Sequence, residues 1–348
     1  MKAYNPMMKT PVIYTLDDNY AMQAAVSLLS LIENNKEKRF HFYILSDGIQ
    51  QKNKDRLIRL VESHGNEISI IEMPDLENYT GFKYSIDGWA KAAYCRLFLC
   101  SLLPQQLERI LYLDPDTLVI GDIELLIKEL YSKEFDSFFA AACIDCCPTY
   151  KRLHGFRKHE FYYNTGIMLI NLKKWREHKV ERAFIEEIKR RKGQSTDVDQ
   201  SYINCILINK IKTLPVEYNA MPFYFYDCSS DYDSYIKNSQ YRRCEIYNRD
   251  ELKAARANPK ILHFSGYREY RPWYKGCKHI YTGEWYKYLN KTEWESFSPI
   301  ELPESQKIST TLKIRREIGA LLFNIPIIAK LYTRIRFGFS VKVYRRGF

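Results

Sequence analysis

The stretch Arg109-Ile-Leu-Tyr-Leu-Asp-Pro-Asp-Thr-Leu-Val-Ile-Gly-Asp122 decides the fold that this sequence predicts. Residues 110–113 form an apolar run with the length of a short buried strand, and Asp114-Pro115-Asp116 ends it abruptly. Two carboxylates this close raise each other's pKa, and burying them is costly. A divalent cation would remove both costs, because carboxylate oxygens suit hard ions such as Mg²⁺ or Mn²⁺. For the tripeptide alone, an ordinary turn is the simpler interpretation.

Strands and helices alternate on both sides of this stretch. The sequence predicts strands at 11–15, 40–45, 68–72, 110–113, 138–143 and 261–263, and helices at about 21–32, 50–63, 89–99, 173–191 and 202–208. This order indicates an α/β fold with a mixed, mostly parallel sheet and helices on both faces. Ligands of such sheets bind beyond the carboxyl ends of the strands. We therefore expect Asp17-Asp18-Asn19-Tyr20 and Asp114-Pro115-Asp116, which both follow strands, on one rim of the sheet.

The net charge of +11 is concentrated at the C-terminus, where residues 307–348 hold ten Lys or Arg and one Glu. The rest of the chain is nearly neutral, so no nucleic-acid partner is expected for the body. The sequence contains no G-x-x-x-x-G-K loop, no G-x-G-x-x-G and no Gly-x-Ser-x-Gly elbow. A P-loop kinase and a dinucleotide oxidoreductase are therefore unsupported.

The nine cysteines are an odd number, and the N-terminus has no apolar secretory segment. These features indicate reduced thiols and a location on the cytoplasmic side. Cys143-Ile-Asp-Cys146-Cys147 contains a C-x-x-C spacing, but no second pair or His completes a zinc site. We interpret these cysteines as core or loop thiols.

The C-terminal tail combines apolar residues at near-helical spacing, over 314–335, with basic residues between and beyond them. The apolar segment 318–329 is too short to span a bilayer. A basic amphipathic helix lying on an anionic membrane surface through residues 307–348 is the favoured interpretation. A helix that docks on the body is the alternative.

Four motifs, taken in their order along the chain, resemble the retaining glycosyltransferases of family 8. They are Leu16-Asp-Asp-Asn-Tyr20 after a strand, Asp114-x-Asp116, Asn164-Thr-Gly166, and His263-Phe-Ser-Gly266. The most specific part of the resemblance is the long run Tyr162-Tyr-Asn-Thr-Gly-Ile-Met-Leu-Ile-Asn-Leu-Lys-Lys-Trp175. The pattern covers roughly residues 11–290 and is most similar to bacterial lipooligosaccharide and lipopolysaccharide-core galactosyl- and glucosyltransferases.

The resemblance implies a Rossmann-like domain of the GT-A fold that uses a UDP-sugar and Mn²⁺, with Mg²⁺ as a second option. By position, the implied metal ligands are Asp114, Asp116 and His263. The implied donor-binding residues are Asp17, Asn19, Tyr20, Arg96, Asp114, Asp116, Asn164, Thr165, Gly266 and Arg271. Asp199 and Gln200 match positions beside the anomeric centre and are the implied catalytic residues.

The route to retention stays open at this point. A double displacement would need Asp199 or the amide oxygen of Gln200 as nucleophile. Front-face attack, with the leaving phosphate taking the acceptor proton, is favoured because an amide is a poor nucleophile and no distinct base is evident. From the residues alone, Asp197 and Asp199 could equally be acids that stabilise the start of the following helix.

The chain departs from the family pattern at two places. The segment from His263 to Trp273 is two residues longer than usual and carries Arg in place of Lys. Either Arg268 or Arg271 could therefore contact the diphosphate. Thr165 stands where Ala is common, a change beside the sugar that could affect the choice of donor.

The sequence thus predicts a metal-dependent, retaining transferase that moves galactose or glucose to a saccharide, with a lipid-linked lipopolysaccharide core as the favoured acceptor. It would act in the cytoplasm, peripherally bound to the inner face of the cell membrane. Residues 1–300 would form the transferase domain, with an acceptor-side insert at 218–260, and residues 301–348 the membrane-associating tail. Alternatives are a transferase for capsular or protein-linked glycan, a metal-dependent phosphohydrolase, and a non-catalytic sugar-binding module.

Overall fold

A computed structural model describes residues 9–81, 91–145, 148–157, 159–222, 247–266, 268–303, 318, 322, 325–345 and 347. The strands are β1 (Thr10–Asp17), β2 (Phe40–Asp47), β3 (Glu67–Glu72), β4 (Arg109–Leu113), β5 (Thr117–Val119), β6 (Ala140–Ile144), β7 (Tyr163–Asn171), β8 (Ile211–Thr213) and β9 (Ile261–His263). The α-helices are α1 (Ala21–Asn34), α2 (Gln51–Ser63), α3 (Leu76–Thr80), α4 (Leu99–Leu102), α5 (Glu124–Leu130), α6 (Pro148–Leu153), α7 (Leu172–Glu177), α8 (Val180–Arg191), α9 (Gln200–Ile206), α10 (Arg249–Ala257), α11 (Thr282–Leu289) and α12 (Pro326–Phe337).

Seven strands form one twisted sheet in the order β3-β2-β1-β4-β7-β6-β8. Strand β7 runs antiparallel to its neighbours β4 and β6, and the other pairs in this sheet are parallel. Strands β5 and β9 pair antiparallel as a separate ribbon. The predicted mixed, mostly parallel sheet is confirmed.

Helices cover both faces of the sheet because alternate side chains of each strand point to opposite sides. On one face, Ile13, Ile110 and Tyr112 belong to a core that also contains residues of α8 and α9. On the other face, Leu111 and Leu113 pack with residues of α1, α2 and α5. The prediction of helices on both faces is confirmed, and the sheet is buried between two apolar layers.

The direction of β7 brings its first residues to the rim where the parallel strands β1, β4 and β6 end. Asp17, Asp114 and Asp145 lie at or directly after the carboxyl ends of the parallel strands β1, β4 and β6. Because β7 runs the opposite way, its first residues, rather than its last, reach the same rim, as the pairing of Ile144 with Tyr163 shows. The start of the Tyr162–Trp175 motif therefore lies beside the strand-end acids.

Three predicted segments differ from the observed elements. Residues 173–191 do not form one helix: α7 ends at Glu177, and Lys179 adopts a positive φ of 53° before α8 begins. The predicted helix at 89–99 is a 3₁₀ helix over Lys91–Phe98 followed by α4, with residues 82–90 outside the described part. Within the predicted insert 218–260, an Asn248–Glu251 capping box starts helix α10, while residues 223–246 lie outside the description.

The basic tail does contain a helix, α12, which begins at Pro326 and ends before Gly338 in the left-handed conformation. Its Ala329 and Thr333 are buried, whereas Ile327, Leu331 and Ile335 are exposed. Beyond it, Tyr344 donates to Glu187 at 2.9 Å and Arg345 to Glu160 at 2.6 Å. Residues 304–317 lie outside the description. The described part of the tail therefore docks on the body and still presents an apolar face.

Candidate active site

Asp114, Asp116 and His263 meet at the rim, with ligand atoms that all lie within 4.8 Å of one another. The His263 Nε2 atom is 3.3 Å from Asp116 Oδ1 and 3.7 Å from Asp114 Oδ2. The β5–β9 ribbon produces this arrangement because it pairs Thr117 with His263, one residue after Asp116. Two carboxylates and an imidazole suit Mn²⁺ or Mg²⁺ when further oxygen ligands are supplied.

A buried asparagine orients the imidazole. Asn219 is fully buried, and its Oδ1 lies 3.0 Å from His263 Nδ1 while its Nδ2 donates to Asn164 Oδ1 at 2.8 Å. Since Asn219 Oδ1 can only accept, Nδ1 carries a hydrogen toward it, and Nε2 is the ring nitrogen that faces the two carboxylates. Partners of this kind are typical of histidines that bind metals.

Arg96 balances the negative charge of this rim from below. Its guanidinium donates to Asp114 Oδ1 at 2.6 Å, to the Thr165 carbonyl at 2.7 Å, and pairs with Asp199 Oδ2 at 3.1 Å. Burial still raises the pKa of Asp114 above its usual value, and it raises the pKa of Asp199 to about 6. Burial acts the same way on Asp116, but His263 outweighs it and the pKa of Asp116 falls below its usual value.

Two of the predicted donor-binding residues, Asp17 and Arg271, each have a buried polar atom without a hydrogen-bond partner. Asp17 Oδ2 accepts from Asn19 at 3.2 Å, whereas its buried Oδ1 has no partner. Arg271 Nη1 donates to the Tyr20 hydroxyl at 3.1 Å, and its buried Nε likewise has no partner. Buried polar atoms without partners are costly, and here they leave an acceptor and a donor available to a ligand.

The glycine of the His263-Phe-Ser-Gly266 motif lets the chain turn between the candidate metal ligand His263 and Arg271. Gly266 has a φ of 86°, a conformation that glycine adopts without strain. The 3₁₀ helix Arg268–Tyr270 follows, and Arg271 then lies buried over Trp273 at 5.8 Å from the ring centroid. Arg268 is half-buried and contacts the Tyr274 hydroxyl at 3.4 Å.

The predicted sugar-contacting residues form one hydrogen-bonded group at the start of β7 and α9. Thr165 donates through its hydroxyl to Asp199 Oδ2 at 3.1 Å and through its N–H to Gln200 Oε1 at 3.0 Å. Asn164 donates to Asp145 Oδ2 at 3.3 Å. The four predicted sugar-contacting residues therefore lie together at the start of β7 and α9.

Three residues of the site were absent from the sequence interpretation. Tyr112 donates to Asp114 Oδ1 at 2.9 Å, Asp145 accepts from Gln200 at 3.0 Å, and Asn219 supports His263. Asp145 follows a predicted strand, so the rule that found Asp114 could have found it too. Asn219 carries no signal, because its partners are 44 and 55 residues away.

Comparison of the sequence with known protein families identifies the class of enzyme to which this rim belongs. The sequence profile of glycosyl transferase family 8 matches residues 11–277, and the chain belongs to this family. The predicted family is thus confirmed, and with it the class of enzyme, a glycosyltransferase.

Particular relatives extend this result. The chain is 27% identical to general stress protein A of Bacillus subtilis over 82% of this chain and 94% of that protein. It is 26% identical to a lipopolysaccharide 1,2-glucosyltransferase of Escherichia coli over 82% of this chain and 79% of that one. The crystal structure of the galactosyltransferase LgtC with donor and acceptor sugar analogues superposes with a TM-score of 0.67 at 23% identity, covering 85% of this chain and 98% of LgtC. The fold is thereby the GT-A fold, as predicted.

Proposed function

We propose that the chain is a metal-dependent, retaining hexosyltransferase that moves galactose or glucose from a UDP-sugar to a saccharide. The observation that carries this proposal is the Asp114–Asp116–His263 group beside two buried atoms without partners, Asp17 Oδ1 and Arg271 Nε. A UDP-sugar donor would engage all of these groups, because it contains a diphosphate, a ribose and a base. Among the described residues no second group of three metal-binding side chains accompanies it, which leaves the phosphohydrolase alternative without support.

The donor would lie along the rim with its diphosphate at the acidic group. Mn²⁺ or Mg²⁺ held by Asp114, Asp116 and His263 would neutralise the charge that develops on the leaving diphosphate. Arg271 would add hydrogen bonds to the phosphate oxygens. Asp17, with Asn19 and Tyr20, would bind the uridine, since a carboxylate oxygen accepts from ribose hydroxyls or a base N–H.

Front-face attack is the route to retention that the geometry favours. Asp199 Oδ2 is engaged by Arg96 Nε and by the Thr165 hydroxyl, and Gln200 Oε1 accepts the Thr165 N–H. A nucleophile held by such bonds is weakened, because each bond must stretch before the oxygen can attack carbon. Asp199 and Gln200 would instead stabilise the positive charge that develops at the anomeric carbon.

The proposed acceptor is a lipid-linked saccharide of the lipopolysaccharide-core type. Its support is the relative in Escherichia coli that acts on lipopolysaccharide, together with the basic helix α12 and its exposed apolar side chains. Such a helix binds anionic lipid surfaces and would keep the enzyme at the inner face of the membrane. None of the described helices has both the length and the hydropathy needed to cross a bilayer.

Calorimetric titration with UDP-galactose and UDP-glucose, in Mn²⁺ and again after chelation, tests the donor. We expect one of them to bind only with metal, and His263→Ala to lose the metal-dependent part. His41→Gln is the control, because His41 lies at the far end of β2 and contacts Ser69 at 2.8 Å. The proposal fails when no UDP-sugar binds the wild-type chain in Mn²⁺.

A further inference from the structure

Asp197 lies in the strained loop before α9 and has no part in donor or metal binding as proposed above. Val198, between Asp197 and Asp199, has a φ of 56° and is 8% exposed. This left-handed conformation is unfavourable for a β-branched residue and persists only where surrounding contacts enforce it. Here the Ser195 hydroxyl donates to the Val198 carbonyl and accepts the Asp197 N–H at 3.3 Å. The loop thereby holds two carboxylates one residue apart on the same rim.

The amide of Gln200 is oriented by three neighbours. Its Nε2 donates to Asp145 Oδ2 at 3.0 Å and to Asp197 Oδ2 at 3.3 Å, while its Oε1 accepts the Thr165 N–H at 3.0 Å. A flipped amide would face its oxygen toward two carboxylates and its NH₂ toward an N–H, losing all three bonds. Only one orientation therefore satisfies the site.

Asp197 is itself held in place from behind. The buried hydroxyl of Tyr162 donates to its Oδ2, and Thr196 Oγ1 donates to its Oδ1 at 2.9 Å. The Thr196 hydroxyl lies 2.6 Å from His154 Nε2, so the chain of contacts continues into the body. Two fixed donors on one carboxylate leave little freedom for its rotation.

We propose that Asp197, ionised and held by Tyr162, is a positioning residue that fixes the Gln200 amide oxygen toward Thr165 for the transfer step. The inference rests on the proposed function, in which Asp199 and Gln200 lie beside the anomeric carbon of the donor sugar. An amide oxygen there would stabilise the positive charge at the anomeric carbon, whereas a flipped NH₂ group would oppose it. The catalytic contact belongs to Gln200, and Asp197 acts through it.

The protonation of Asp197 should appear in the rate of transfer. The groups that face it are Asp145 from the end of β6, Tyr162 before β7, Tyr94 from the 3₁₀ helix Lys91–Phe98, Cys205 and Gln200 from α9, and Thr196 and Asp199 from its own loop. Burial raises the pKa of Asp197 to about 7, with further increases from Asp145 and Asp199 and decreases from Tyr162 and Thr196. Protonation of Asp197 would turn one of its accepting oxygens into a donor. The bond from Gln200 Nε2 would be lost most easily, because at 3.3 Å it is the longest and weakest that this carboxylate accepts.

Tyr162→Phe and Asp197→Asn test the inference, with Tyr163→Phe as matched control. Tyr163 is the next buried tyrosine, but its hydroxyl contacts Thr213 at 3.0 Å on the other side of the strand. We expect each test variant to lower kcat about tenfold, with the donor KM within about twofold of wild type. The acid limb of the kcat profile, near pH 7 in wild type, should move in Asp197→Asn toward about 6, the pKa of Asp199.

A separate stability measurement distinguishes positioning from folding. A carboxyl whose pKa rises from 3.8 to about 7 on folding costs stability as pH rises through that interval, so Asp197→Asn should not lower the Tm at pH 8. The inference is overturned when Asp197→Asn keeps wild-type kcat, or when Tyr163→Phe loses as much kcat as Tyr162→Phe. A wild-type chain that transfers no sugar from UDP would instead defeat the proposed function, and the inference with it.

Discussion

Gly166 lies against the candidate metal ligands with no room for a methyl group. A Cβ there would be 2.2 Å from His263 Cε1 and 2.9 Å from Asp114 Oδ2. Gly166→Ala should therefore displace the imidazole and weaken Mn²⁺ binding about 10- to 100-fold, the usual cost of disturbing groups next to metal ligands. Gly283→Ala is the control, because no heavy atom lies within 4 Å of the added Cβ. Titration of Mn²⁺ in the presence of UDP measures the effect, and equal affinity in the two variants would contradict the assigned ligand set.

Single substitutions can also show whether Arg268 or Arg271 contacts the diphosphate. Arg271 is buried with an unpartnered Nε, whereas Arg268 is half-buried and turned toward Tyr274. Arg271→Lys keeps the charge but loses the fork of donors, so donor affinity should fall about tenfold or more. Arg268→Lys should change the Kd of the UDP-sugar by less than about threefold. The reverse ranking of the two Kd values would assign the diphosphate contact to Arg268.

At the residue scale, the sequence predicts groups that follow strands or stand in motifs, and misses their distant supports. Asp17 and Asp114 are readable because each ends an apolar run, and His263 because it ends another. Asn219 holds His263 although 44 residues separate them, and nothing in its neighbourhood indicates a buried amide. The strain at Val198 is equally unreadable, because it results from contacts that form only when the loop closes.

Elements show the same division between local and distant causes. Five of the seven strands of the main sheet are predicted from their apolar runs, whereas β7 and the three-residue β8 are not among the predicted strands. The antiparallel direction of β7 cannot be predicted from its own residues, because direction depends on the connections between strands. No Gly or Pro marks the break at Lys179, so helical periodicity alone predicts one continuous helix across α7 and α8. Conversely, the Asn248–Glu251 capping box is a local signal that predicts the start of α10 even though the stretch around it is polar.

The end of the tail offers a stability prediction for one element. Arg345 pairs with Glu160, whose side chain is almost completely buried, and also donates to the Gly155 carbonyl at 2.8 Å. Arg345→Ala removes a partner of the buried Glu160 carboxylate, so the free energy of unfolding should fall by about 1–3 kcal/mol. Lys275→Ala breaks an exposed pair with Glu301 that solvent screens, so it should lower the free energy of unfolding by much less. Urea denaturation of both variants provides the comparison, and equal losses would show that the tail is not anchored there.

For the whole molecule, the proposed division at residue 300 separates two charge regimes rather than two independent bodies. The body is nearly neutral, while residues 307–348 hold most of the net charge. Yet Phe339 stacks on Arg191 at 5.1 Å, and Arg191 donates to Ser201 beside Gln200. Deleting the tail would therefore disturb the site as well as any membrane contact. Single side chains of α12 are the better target.

Leu331 and Ile335 are exposed on one face of α12, next to Lys330, Arg334 and Arg336, and they carry the membrane prediction. Replacing both with Asp removes two apolar side chains worth about 1.5 kcal/mol each from the lipid contact, so affinity for anionic vesicles should fall at least about 100-fold. Donor binding should be unchanged, because neither side chain packs on the body. The control replaces Leu125 and Ile280, equally exposed apolar residues of the body, with Asp. Vesicle sedimentation and UDP-sugar titration are measured on all three proteins. Undiminished vesicle binding by the α12 variant would show that the helix faces water and that the acceptor reaches the enzyme by another route.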